Sequence, residues 1–72
     1  MNNQVIAFRT LLEAQESDTY TEELELSCLQ VFPGDFAEVL LDVIERFGED
    51  YVNMSDTELD AILDKIHSSI TP

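Results

Sequence analysis

Residues 21–32 read TEELELSCLQVF, and the conformation of these twelve positions decides the fold class. As a strand, the segment would set Leu24, Leu26, Cys28 and Phe32 against polar neighbours with a period near two. As a helix, it is capped by Thr21, and Glu22 and Glu23 suit the positive end of the helix dipole. Leu24, Cys28, Val31 and Phe32 then line one side. No other stretch of the chain offers a strand to pair with it, so a helix is expected.

Helical spacing continues in both directions. Upstream, Val5, Phe8, Leu11 and Leu12 form a stripe over Asn3–Glu16, widened by Ile6, with Asn2 or Asn3 as cap. The stretch SDTYT, residues 17–21, breaks the pattern and reads as a loop. Downstream, Pro33 and Gly34 end the second element, and Asp35 with Glu38 forms a D-x-x-E capping box for the third. That helix has an apolar face of Phe36, Val39, Leu40, Val43, Ile44 and Phe47, with Gly48 as its stop. Ser55 and Glu58 form a second capping box, and Leu59, Ile62, Leu63, Ile66 and Ile70 mark the last helix. Phe8, Phe32, Phe36 and Phe47 are expected in the core. The expected fold is all-α: a small bundle of three to four short amphipathic helices in a single helical domain spanning residues 1–72. Short loops should set consecutive helices side by side.

At 72 residues a single core supplies only about 3–5 kcal/mol of net stability. Cys28 is the only cysteine, which excludes internal disulfides, and one Cys with one His makes no zinc pattern. The N-terminal stretch lacks the features of a secretory signal, and no run of 18 apolar residues occurs. A soluble, cytoplasmic protein is expected.

Charge is the outlying property. Sixteen acidic residues face only Arg9, Arg46 and Lys65, for a net charge of −13. With 44% hydrophobic residues, the chain is too apolar for a disordered acidic tail. Nucleic acid and anionic membrane would be repelled, which leaves a basic protein surface as the natural complement.

Catalytic and metal patterns are weak. His67 follows Asp64 by three residues, but in a last turn where a solvated histidine suits the dipole. Cys28 lies on an apolar stripe as a small hydrophobe, and no third group would orient a Cys28–His67 pair. The run EDYVNMSDTELD fails the EF-hand pattern, because Met54 or Ser55 stands where glycine is required. No enzyme activity, cofactor or metal is expected.

The acidic helical stretch from Asp35 to Ile66 resembles the second half of an acyl carrier protein. That family carries its phosphopantetheine arm on the serine of an Asp-Ser-Leu motif at the start of its second main helix. Here the equivalent place reads Asp35-Phe36-Ala37, and no Asp-Ser dipeptide occurs. The resemblance therefore implies general topology and charge without the carrier chemistry.

The acids themselves are patterned. Glu38, Asp42, Glu45 and Glu49 recur at helical spacing as one ridge, and Asp56, Asp60 and Asp64 form a second. Each adjacent like-charge pair costs a helix roughly 0.2–0.5 kcal/mol, so the five pairs together cost about 1–2.5 kcal/mol. Asp42 with Arg46 offsets part of this. Successive acids lie about 5–6 Å apart along a helix, a spacing of the same order as that of nucleic-acid phosphates. Such frustration fits a surface that docks on a basic protein, and competes with a plain solubilising role. In bulk character the chain resembles phage-encoded inhibitors of host nucleases and anti-CRISPR proteins.

The expectation is a non-enzymatic protein that inhibits or sequesters a basic, nucleic-acid-binding partner. Its binding residues would be Glu38, Asp42, Glu45, Glu49, Asp56, Asp60 and Asp64, with Tyr20 and Tyr51 either as interface anchors or as half-buried covers of the small core. The alternative is a homodimer or adaptor subunit that recognises its partner through an apolar helix face.

Overall fold

The computed structural model describes residues 3–70, which form four helices: α1 (Asn3–Glu16), α2 (Glu22–Leu29), α3 (Gly34–Tyr51) and α4 (Asp56–Ile70). No strand occurs among the described residues. The segment 21–32 is helical over Glu22–Leu29, as Thr21 foreshadows: its hydroxyl accepts a hydrogen bond from the Leu24 amide at 3.1 Å. α2 stops at Leu29, short of the sequence pattern. Pro33 disfavours helical backbone at Phe32, and the Phe32 amide instead turns back to the Leu29 carbonyl at 3.0 Å.

α1 ends in a Schellman motif that the loop-like sequence 17–21 conceals. Asp18 adopts left-handed backbone, φ 59°, while the Thr19 amide donates to the Ala14 carbonyl at 2.9 Å and the Asp18 amide to that of Gln15 at 3.4 Å. This reversal lays α2 antiparallel along α1, and the Gln4 side chain meets the Val31 carbonyl at 3.1 Å.

α1 packs on α2, α3 and α4, and α3 packs on α4. α2 and α3, although joined by only four residues, do not pack side by side. The core is built from Val5, Phe8, Leu11 and Leu12 of α1 with Phe32, Phe36, Leu40, Ile44, Leu59, Leu63 and Ile66. α2 contributes no buried residue.

Several residues depart from the sequence expectation. α3 begins two residues early, with Pro33 rather than Asp35 at its N-cap and no side-chain cap, so Asp35 and Glu38 form no capping box. Phe32 instead stacks on Phe36 across the cap, with centroids 5.0 Å apart and planes 1° from parallel. Asp35 is left to act on the helix dipole from the first turn. Ser55 and Glu58 do form the expected reciprocal box, at 3.2 and 3.3 Å.

Gly48 does not stop α3, which continues to Tyr51. It is buried against α1, where an added Cβ would come within 2.5 Å of Gln15 Oε1 and 3.7 Å of Leu12 Cδ2. The extra turn carries Tyr51 edge-on to Phe8, with centroids 6.4 Å apart, and leaves Phe47 outside it and 45% exposed. Ile6 and Val31 are also exposed rather than core residues. Ala7 and Ala14 widen the buried face of α1 in place of Ile6. The proposed cap Asn2 lies outside the described residues, and Asn3 is within α1.

Candidate protein-binding surface

The ridge on α3 follows from helical geometry. At about 100° per residue, Glu38, Asp42, Glu45 and Glu49 fall within a wedge about 60° wide, opposite buried Leu40 and Ile44. All four are exposed. Asp42 pairs with Arg46 at 3.1 Å, but both side chains are more than half exposed, at 57% and 69%. So exposed a pair is weak and leaves Asp42 available to a stronger cation. Among the described residues, Glu38, Glu45 and Glu49 have no ion pair.

The α4 row is placed differently. Asp56, Asp60 and Asp64 lie about a quarter turn from the buried Leu59 and Leu63, along the flank of the helix. Asp56 is engaged within the fold: Arg9 of α1 donates from Nη2 and Nε to Asp56 Oδ1 at 2.8 and 3.0 Å. The same Nη2 reaches the Met54 carbonyl at 2.7 Å. Asp60 is half-buried and also has a partner, whereas Asp64 is exposed. The α4 row is thus partly neutralised against α1, while the α3 ridge faces away from the core.

The two tyrosines have different surroundings. Tyr51 is half-buried between Phe8 and Phe47, a lid on the core. Tyr20, delivered by the α1 reversal, lies beside Glu25; burial and that carboxylate push its pKa up to about 12. It lines a cleft of about 310 Å³ with Gln15, Glu25, Leu41, Ile44 and Glu45. The cleft opens where α2 and α3 fail to pack, and ridge residue Glu45 stands at its edge. Sequence patterning misses Gln15, Glu25, Leu41 and Ile44 as surface components. The one local signal is Leu41, apolar yet one turn before Glu45 on the boundary of the ridge.

His67 is not a frayed terminal residue. Its ring lies on Phe36, with centroids 4.2 Å apart, completing a column of Phe32, Phe36 and His67. Cys28 is half-buried against the core, and burial raises its thiol pKa, opposite to the shift of an activated nucleophile. The EF-hand-like run is mostly helix, with only residues 52–55 connecting α3 to α4. Among the described residues no group of three or more His, Cys, Asp or Glu side chains converges to hold a metal ion. Phe36, at the place of the carrier-protein serine, is 2% exposed and could not present a prosthetic arm.

Comparison with known proteins returns no matching family model, no matching curated protein and no matching solved structure.

Proposed function

We propose that this chain is a non-enzymatic acidic binding protein, acting in the cytoplasm, that inhibits or sequesters a basic nucleic-acid-binding partner. The observation that carries this reading is the α3 ridge: four carboxylates on one exposed face, three without an ion pair among the described residues. Glu38, Asp42, Glu45 and Glu49 would occupy lysines and arginines that otherwise hold phosphates. Asp64 would extend the footprint, and Asp56 and Asp60 would join it only by exchanging their present contacts. Complementary charge speeds encounter and selects the partner, while less polar contacts prolong the complex.

The test is retention of basic nucleic-acid-binding proteins from host lysate at low and high salt, with Asp42→Lys plus Glu45→Lys as comparison. The reading requires retention at low salt, loss at high salt and loss on charge reversal. Undiminished capture by the double variant would remove the ridge from the contact.

A second reading rests on the exposed Phe47 beside Tyr51, which offers an apolar seam for a second copy or an adaptor partner. Sedimentation across a salt series separates the two. Apolar pairing persists or tightens with salt, whereas ridge docking weakens.

A further inference from the structure

The cleft between the α1–α2 loop, α2 and α3 is near the small end of the roughly 300–1,000 Å³ typical of ligand sites. That size suits one long side chain better than a cofactor. Its lining has three parts: apolar Leu41 and Ile44 of α3, the half-buried ring of Tyr20, and Glu25, Glu45 and the Gln15 carboxamide. Every charged group in the lining is a carboxylate, so a bound anion would be repelled. A purely apolar group would bury the carboxylates without compensation. The complement is an aliphatic stem ending in a cation.

We propose that this cleft receives an arginine side chain of the partner, its methylenes against Leu41 and Ile44 and its guanidinium between Tyr20, Glu25 and Glu45. Arginine fits better than lysine because its planar, multi-donor head can serve two carboxylates and stack on an aromatic face. Tyr20 and Glu25 line the same cleft, so the ring face and a carboxylate are presented to the guest together. Gly48 contributes from behind, since the absence of a Cβ there makes room for the Gln15 carboxamide at the cleft. The cleft thereby becomes the specific anchor of a surface whose ridge is otherwise only a charged rail.

This inference rests on the basic-partner reading, but its test needs no partner. The probe is n-butylguanidinium, titrated into the isotopically labelled protein and followed by amide chemical shifts. Saturable shifts should cluster at Gln15, Tyr20, Glu25, Leu41 and Glu45, with binding at least about threefold tighter than for n-butylammonium. Glu25→Gln and Glu45→Gln should each weaken the probe about tenfold with the folded spectrum retained, whereas Glu13→Gln should not. Shifts that do not saturate, or that spread evenly over Glu38, Asp42 and Glu49, would mean diffuse counterion association and overturn the cleft assignment. The same holds if the ammonium binds as well as the guanidinium. Absence of probe binding alongside ridge-dependent partner capture would discard the cleft alone. Saturable probe binding with capture indifferent to ridge reversal would discard the ridge alone.

Discussion

Arg9 and Asp56 lie 47 positions apart and meet at 2.8 Å, tying the middle of α1 to the start of α4. Arg9 also donates to the Met54 carbonyl at 2.7 Å, so it fastens the α3–α4 turn as well as the carboxylate. With side chains 30% and 49% exposed, the ion pair itself is a modest contributor. Arg9→Ala should cost about 1–2 kcal/mol, because it also loses the carbonyl bond and the stem's packing. Asp56→Asn should cost less than about 1 kcal/mol. Urea unfolding of both variants checks the order; equal losses would assign the whole effect to the charge pair.

Asp18 holds a left-handed position that glycine fills without penalty. Asp18→Gly should raise stability by about 1 kcal/mol, and it also removes a negative charge from the carbonyl end of α1. Thermal unfolding gives the sign directly, and a loss of stability would contradict the Schellman ending.

Gly48 lies in the last turn of α3, where helical backbone still favours alanine, by up to about 0.8–1 kcal/mol. The atom in its way is Gln15 Oε1, the free end of a flexible, exposed side chain, and the next contacts are at 3.5 and 3.7 Å. Gly48→Ala should therefore stabilise by about 0.5 kcal/mol as Gln15 swings aside. Gly48→Leu should destabilise by about 1–3 kcal/mol, since the larger group drives into Leu12. Chemical denaturation of the pair resolves the two signs.

Tyr20 supplies the alkaline limit. Its pKa is raised from 10.0 to about 12 in the folded protein, by burial first and by Glu25 next. The neutral phenol is the form favoured by folding, so this contribution is intact below pH 10 and is lost as pH rises toward 12. Against a Tyr20→Phe variant, the wild-type urea midpoint should fall between those limits. Parallel curves would place the ring in water.

Self-repulsion makes salt a stabiliser. Raising ionic strength from 0.01 to 0.15 M shortens the Debye length from about 30 to about 8 Å, which should raise the unfolding temperature. Glu49→Lys places a cation in the last turns of α3 and relieves its neighbour Glu45; a gain of about 0.3–1 kcal/mol is expected at low salt. The same variant should bind the partner less well. Calorimetry at the two salt concentrations checks the first part and partner capture the second.

The fold is legible because helical period runs along the chain and two of the expected caps hold. Thr21 and Ser55 announced their helices, and most of the stripe residues are core. What was misread depends on which neighbour a residue meets. Gly48 looks like a stop until α1 is seen to cross it, and Phe47 looks like core until Tyr51 takes the place against Phe8. The orientation of the α3 ridge followed from spacing alone. The Arg9 contact with Asp56 and the cleft beneath Tyr20 did not, because both join distant segments through loop geometry that no local pattern encodes.

Of the four helices α1 is made first, and it is the one that every other covers. Phe8, Leu11 and Leu12 therefore stay without much of their shelter until Leu59 and Leu63 have been synthesised. The shared core therefore closes only when α4 joins the other three helices. A premature stop codon anywhere before α4 would yield a degradation substrate in place of a smaller working protein.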